Sequence, residues 1–574
     1  MTKEPMASTP FTNRADFLSQ LTRNINNNIE QKWDVIVIGG GIVGAGILQE
    51  ATRRGLSTLL IEQQDFAWGT SSRSSKMVHG GLRYIAQGDI KLTKHSLQER
   101  ERLLKEAPGL INRMDYYFLI KQWQFPGRII MSTLLSLYDW LAGIKDHKFY
   151  GTKETVNKFP TLNTESLTGA CYYTDTVVDD ARLVMRVLQE SVQAGAKVIN
   201  YVKATTLIKD SKSEQVIGVT VEDNSGNTNN TNGLKESKRF NLKTSVVINA
   251  TGAWADKLRG EVVNEQRVRP LRGSHLIVSQ TRLLVNAALT ILHPRDKRPV
   301  FIFPWEGVTV IGTTDIDHSE SLDKEANISL DEVDYLLEAT HKSFPNNKIT
   351  YRDIISTFSG VRPVISSDRN FSKKASKERR DHAIWADNGL ITASGGKLTT
   401  FRLTAIEAVN AAMPWLNPRP KNEYMRKGFN DSVFTNYSFE DLFKSKLKQN
   451  KYEKSWLQRL IGRYGNNAAL ILGQANEEEK LTLANTQFCL AECRWAIKNE
   501  SVIHLDDLLL RRTRLGLLLK NGAEELFCQL ADIFEQELGW NKAKWQDEVM
   551  RYISIWQQSY YLPKPINNKQ AENL

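Results

Sequence analysis

Residues 35–46 read VIVIGGGIVGAG. Val35–Ile38 is a β-branched run of the kind that forms a buried strand. It passes straight into Gly39, Gly41 and Gly44 at GxGxxG spacing, with Gly40 in the same turn. A helix is expected next, then a second strand, TLLIE, ending in Glu62. Each glycine has its own physical reason. Gly39 permits the tight turn, Gly41 lets the backbone approach a pyrophosphate, and Gly44 allows helix and strand to pack closely. The helix N-terminus offers N–H groups and a positive dipole to phosphate. Glu62, about twenty residues on, can accept hydrogen bonds from a ribose diol, and an acidic residue there suits an unphosphorylated ribose. The unit reads as dinucleotide-binding.

The motif alone does not choose between FAD and NAD, but the order of later elements favours FAD. The chain leaves after the second strand and returns twice, at SVVINATG (Ser245–Gly252) and at GLITASGGKLTT (Gly389–Thr400). A flavin is long, and its ring lies far from the pyrophosphate, so it needs such returns. Thr251 and Gly252 can approach the nucleotide. Gly395 and Gly396 open a helix whose N-terminus can offset negative charge on a reduced flavin.

The remaining sequence is read in blocks. Residues 1–31 are a polar tail with one short helix, Ala15–Thr22. Residues 32–420 interleave an FAD part (about 32–110, 180–260 and 355–412) with a substrate sheet (about 111–179 and 261–354). The runs SHLIVS, VFIFPW and VTVIGTTD suggest an antiparallel sheet apart from the nucleotide unit. Asp223–Ser237, rich in Asn, Gly and Lys, reads as a surface hairpin or insertion. Residues 425–560 show helical periodicity and read as a separate domain, followed by a tail, 561–574. The fold class is α/β: a two-dinucleotide-binding-type FAD domain with a parallel sheet and helices, a mixed antiparallel-sheet substrate domain, and a C-terminal α-helical domain.

The chain has 574 residues and a formal net charge of +11. That excess suits anionic substrates or an anionic membrane surface. No nucleic-acid-binding signature accompanies it, so no nucleic-acid partner is expected. Four scattered cysteines make no disulfide framework. Cys489-x3-Cys493 has no companion Cys/His pair, so no metal site is expected. The N-terminus lacks the apolar stretch of a signal peptide, and no window reaches eighteen apolar residues.

Three motifs together resemble the FAD-dependent, respiratory glycerol-3-phosphate dehydrogenases: GTSSRSSKMVHGGLRYI (Gly69–Ile85), SGVRP (Ser359–Pro363) and GGKLTTFR (Gly395–Arg402). VVINATGAWAD, VIGTTD and LDDLLLRRTRLG (Leu505–Gly516) also match, over about residues 33–560. The chain departs from the family pattern at Leu48, Glu50 and Phe401. The N-terminal tail and the Asn-rich insertion are not family features.

The resemblance implies oxidation of sn-glycerol 3-phosphate at carbon 2 to dihydroxyacetone phosphate, with hydride passing to flavin. A phosphomonoester carries close to two negative charges, and arginine's planar fork suits it. The expected substrate-binding residues are Arg83, Tyr84, Arg362, Lys397 and His275. His79 and Arg362 are the candidate bases; histidine titrates near the working pH, whereas arginine rarely deprotonates, so Arg362 is expected mainly to bind and polarise. The expected cofactor contacts are Gly39, Gly40, Gly41, Gly44, Glu62, Ser71, Ser72, Ser74, Thr251, Gly252, Gly395, Gly396 and Thr399.

Electron delivery is expected to membrane quinone. In RIIMSTLLSLYDWLA (128–142), Ile130, Leu134, Leu137 and Leu141 recur at helical spacing, with Ser132, Ser136 and Asp139 mostly opposite. Fifteen residues rise about 22 Å, too short to cross a core of about 30 Å. Either an interfacial helix or an ordinary core-facing one fits. The expectation is a cytoplasmic enzyme, peripheral on the inner face of the membrane, with a homodimer allowed. The alternatives are a glycerol-3-phosphate oxidase using oxygen, a related amine or 2-hydroxy-acid oxidase, and a flavin-bearing scaffold whose Arg511-Arg512-x-Arg514 run is a partner patch on a solvated helix.

Overall fold

The structure is a computed structural model. It describes residues 10–27, 31–86, 88–226, 239–366, 382–416, 432–435 and 452–563, without the side chains of 25, 26, 83 and 86. Most of the Asn-rich insertion, residues 1–9 and residues 564–574 therefore lie outside the described residues, as does much of the segment between 417 and 451.

The first strand forms as expected, Lys32–Ile38, and lies between Thr58–Ile61 and Arg239–Asn249, parallel to both. Among the described residues the main path of this sheet is Ala383–Asp387, Leu390–Ser394, Arg239–Asn249, Lys32–Ile38, Thr58–Ile61, Lys197–Ile199, and Val216–Asp223 branches from it by pairing with Arg239–Asn249. Alternation along the strands divides the core. Val35 and Val37 face the helices Ile42–Arg53, Asp180–Gln193 and Phe401–Ala412, whereas Ile36 and Ile38 face the opposite layer. That second layer is the meander Val202–Lys209 and Val216–Asp223 plus an N-terminal helix, Arg14–Asn26. The helix is longer than expected and is no loose tail: Phe17 and Leu21 are buried on the sheet, and Phe11 packs edge-on against Phe66.

Among the described residues the second sheet has nine strands. It is antiparallel except where Ala288–Leu292 runs parallel to Ile111–Lys121. Leu276 and Val278 point to the face covered by Leu330–Ser343, while Ile277 points toward the C-terminal domain. One boundary moves. The FAD part is expected to resume at about residue 355, but strand Ile354–Ile365 pairs with Val268–Ser279 along nearly its whole length and belongs to this sheet.

The C-terminal residues 452–563 are helical, and their arginines are buried rather than solvated. Arg511, Arg512 and Arg514 are each about 1% exposed or less. Arg511 and Arg512 donate to Asp65 at 2.5 and 2.7 Å, Arg514 donates to Asp180 at 3.0 Å, and Arg463 donates to Asp179 at 2.9 Å. Arg182 makes a two-pronged bond to Glu500. Sequence read the arginine run as an exposed patch because a charge's partner, over 400 residues away in the case of Asp65, leaves no local trace.

The helix Arg128–Ala142 also turns differently from expectation. Its inward ridge is Met131, Leu135 and Tyr138, with Leu134, Leu137 and Leu141 half-buried beside it. Asp139 is buried, because the backbone N–H groups of Asp146 and His147 and the His147 ring all bond its carboxylate. Ile129, Ile130 and Trp140 are exposed.

Burial works to raise the Asp179 carboxyl, but Arg463, Arg514 and Lys76 hold it down to about 2. A folded-state value below the ordinary one contributes stability that is present above about pH 4 and lost as pH falls toward 2. Replacing Asp179 by Asn is expected to cost about 3–5 kcal/mol at neutral pH, since two buried arginines lose a charged partner. The difference from the parent should shrink between about pH 4 and 2. Urea unfolding at several pH values checks both; equal stability at pH 7 would refute the assignment.

Candidate cofactor and substrate site

Ile38, Ile61 and Asn249 end their strands at one level, and the chain then turns at Gly39, Glu62 and Ala250. At Gly39 and Gly44 a side chain is excluded by backbone. A Cβ on Gly39, whose φ is +114°, would lie 2.5 Å from the Ala250 carbonyl oxygen, and one on Gly44 would lie 1.9 Å from that of Gly39. An elongated cleft opens at these strand ends, the position where open α/β sheets bind ligands. Gly39, Gly41, Glu62, Ser71, Ser74, Thr251, Gly252, Gly395 and Gly396 line it, together with Trp68, Trp254, Pro363 and Lys397.

Glu62 is fixed by the turn it faces. Its carboxylate accepts from Gly40 N at 2.6 Å and Gln64 N at 2.9 Å. Burial raises its pKa against the pull of those N–H groups. Ser71 Oγ accepts from Ile42 N at 2.9 Å, so a hydroxyl stands at the helix N-terminus. Thr251 bonds back to Asn249, and the Ser394 hydroxyl donates to the Gly252 carbonyl. Gly395 and Gly396 have φ of +76° and +78°, a left-handed pair that glycine adopts without penalty. Gly40 and Gly44 act behind the cleft. Ser72 is buried, and its carbonyl accepts from Lys76 Nζ at 2.7 Å instead of facing the cleft.

The expected substrate residues form two groups. In one, Lys397 Nζ sits 3.5 Å from the centre of the Tyr84 ring, the His79 ring stacks beside Tyr84 at 6.2 Å, and the His79 backbone N–H donates to Thr399 Oγ1 at 3.1 Å. In the other, Arg362 donates to Asp315 Oδ1 at 3.3 Å and Thr313 Oγ1 at 3.2 Å. His275 is buried there, stacked 4.5 Å from Phe358, and its Nε2 meets Ser75 Oγ at 3.0 Å. Burial, then Arg362 and Lys76, push the His275 imidazole well below its usual range, so it is neutral at pH 7. Pro363 and Lys397 border the same cleft, one from each group. The Arg83 side chain lies outside the described residues.

Sequence reasoning missed Asp315, Asp180 and Lys76. Lys76 stands inside the quoted GTSSRSSKMVHGG motif, where a lone lysine among serines was a usable signal. Asp315 ends VIGTTD but gains meaning only from the arginines beside it, Arg362 and Arg298.

Residues 34–402 match the family described as FAD dependent oxidoreductase, and residues 434–545 match the C-terminal domain of alpha-glycerophosphate oxidase. An aerobic glycerol-3-phosphate dehydrogenase of Staphylococcus haemolyticus is 33% identical over 86% of this chain and 89% of its own length. The chain belongs to the FAD-dependent glycerol-3-phosphate dehydrogenase family. A glycerol-3-phosphate dehydrogenase 2 of Mycobacterium bovis is 32% identical, covering 91% of this chain and 88% of the relative. The glycerol-3-phosphate dehydrogenase of Bacillus halodurans, solved with FAD, superposes with a TM-score of 0.69 at 26% identity, covering 93% of this chain and 97% of that one.

The family's cofactor fits the residues present. Gly39 and Gly41 bring bare backbone to the cleft where a pyrophosphate would lie, Glu62 lines the same cleft, and Gly395 and Gly396 add a second stretch of backbone without side chains. A Gly44→Ala variant must part strand from helix. It is expected to purify with little bound flavin, measured as visible absorbance per mole of protein; full flavin content would show that this packing does not hold the cradle.

Proposed function

We propose that this enzyme oxidises sn-glycerol 3-phosphate at carbon 2 and delivers the electrons to a membrane quinone. The observation that carries the reading is that Lys397 and Pro363, the residue after Arg362, border one cleft with the FAD cradle. Bound FAD supplies a two-electron hydride acceptor. The chain's own residues do the rest. Arg362, held by Asp315 and Thr313, and Lys397 grip the phosphate, with Arg83 as a third cation. Tyr84 packs under the Lys397 ammonium and fixes its position. His79 takes the hydroxyl proton, and neutral His275 orders the loop and sheet around Arg362.

Anaerobic addition of sn-glycerol 3-phosphate should bleach the flavin band, and an unbleached spectrum would reject the substrate. Arg362→Lys keeps charge but loses the fork. It is expected to raise KM about tenfold, some 1.4 kcal/mol of lost substrate binding, with flavin content intact. Loss of flavin instead would place Arg362 elsewhere.

Among the described residues no helix is long and apolar enough to cross a membrane. Support for a peripheral mode comes from one surface. Trp123 is fully exposed, Trp140 is 74% exposed, and Phe125 and Ile129 stand beside them in sequence on the same helix and its approach, with Arg128 adjacent. Exposed aromatic and aliphatic side chains next to a cation suit the headgroup boundary, where apolar burial and attraction to anionic lipid add. Replacing Trp123 and Trp140 by Glu is expected to lower co-sedimentation with anionic vesicles roughly tenfold. Activity with a water-soluble quinone analogue should be unchanged. Oxygen is the second reading, motivated by the oxidase-named C-terminal match; stoichiometric peroxide without a quinone analogue would favour it.

A further inference from the structure

The cofactor loop Ser71–Ser75 has two sides. Its front carries Ser71 and Ser74 into the cleft. Ser75 reaches sideways to His275. Its back is held by three charged groups that the chemistry does not use. Asp180 Oδ2 accepts from both Ser74 N and Ser74 Oγ at 2.8 Å. Asp180 Oδ1 accepts from Lys76 Nζ at 2.8 Å and from Arg514 Nη2 at 3.0 Å. The same Arg514 nitrogen donates to the Ser72 carbonyl.

Arg514 comes from the C-terminal helical domain. It follows the π-helical turn Asp507–Arg512, a distortion that often marks a functional site. Arg514 sits at φ +63°, a left-handed conformation that a non-glycine residue keeps only where its surroundings over-determine it. A second guanidinium nitrogen is fixed by the Leu510 carbonyl at 2.5 Å. The side chain is therefore locked at both ends, and what it locks against is the loop that faces the cofactor.

We propose that Arg514 is a positioning residue for the flavin reaction: through Asp180 and the Ser72 carbonyl it sets the loop that presents Ser71 and Ser74 to FAD and Ser75 to His275. The guanidinium matters, because its Nη2 serves both Asp180 and the Ser72 carbonyl while Nη1 is held by the Leu510 carbonyl, an arrangement a lysine ammonium cannot reproduce. The C-terminal domain thereby acts on the cofactor without touching it. The proposal rests on the placement of FAD in this cleft, and not on the identity of the substrate.

The test uses the full-length holoenzyme. Arg514→Lys, Asp180→Asn and Arg551→Gln are compared. Arg551 bonds Asp506 in the same domain interface but does not contact the loop. FAD affinity and the visible flavin spectrum are read without substrate, so they report on the loop whatever the substrate proves to be. Arg514→Lys and Asp180→Asn are expected to weaken FAD binding about tenfold and to change the flavin band shape. They should also lower kcat at saturating FAD and substrate by 10- to roughly 100-fold, as misplacing a supporting group does. Arg551→Gln should leave all three unchanged. If Arg514→Lys fails to fold, Asp180→Asn decides alone. Wild-type FAD affinity, spectrum and kcat in the variants that fold, with only thermal stability reduced, would make Arg514 a simple interface staple and overturn the proposal.

Discussion

The fold depends on a set of charges that neither half of the protein can bury alone. Asp65, Asp179 and Asp180 stand on the FAD part; Arg463, Arg511, Arg512 and Arg514 stand on the C-terminal helices; all have side chains within about 1% of full burial. An unpaired ion in such a place costs several kcal/mol. Pulled apart, each domain would have to rehydrate or neutralise its own share. Burial raises the Asp65 carboxyl, yet Arg512 and Arg511 leave it below its ordinary value, so it is ionised where it sits. Lys76, pushed down to about 7 by burial and by Arg514 despite Asp180, shows how finely cation and carboxylate are balanced there. The pairing thus fixes how the domains meet, and it does so directly behind the cofactor cleft.

That location follows from the topology. Asp65 lies three residues beyond Glu62, just past the end of a central strand, and Asp180 opens the helix after the excursion into the second sheet. Both sit where the FAD part turns from scaffold to site. The cleft's front is built from glycines and hydroxyls, which approach a phosphate closely without adding charge. Its back is built from carboxylates and guanidinium groups, which supply rigidity.

The nucleotide unit was legible because its constraints are local: strand, glycine spacing and acidic end all fall within thirty residues. The two later returns of the chain and the helical C-terminus were legible from periodicity. What escaped had distant causes. Arg511, Arg512 and Arg514 have the one-dimensional appearance of a solvated basic face, and only Asp65 and Asp180 reveal otherwise. The N-terminal helix looked like a tail because Phe17 and Leu21 find their apolar partners on the far side of the sheet. Arg128–Ala142 carries apolar residues on more than one side, so periodicity alone chose a ridge adjacent to the true one. Strand Ile354–Ile365 was divided from its sheet because its pairing partner, Val268–Ser279, is distant in sequence and leaves no local trace.

That strand resolves the division. Its first half is sewn into the C-terminal domain: Ser356 Oγ donates to the Leu517 carbonyl, and Thr357 bonds the carbonyls of Tyr560 and Tyr561. Its middle packs on the cofactor loop so closely that a Cβ on Gly360 would lie 2.3 Å from the Arg73 carbonyl oxygen. Its last part bears Arg362 and carries Pro363 to the cleft. Twelve residues thus touch all three working parts. A shift of the helical domain must move either the loop that Arg514 holds or the strand that bears Arg362, and the shared ion network resists both. Arg362, cofactor loop and C-terminal helices are therefore one mechanical unit, which gives a helical domain that among the described residues supplies none to the cleft lining a reason to be joined so tightly to an oxidoreductase.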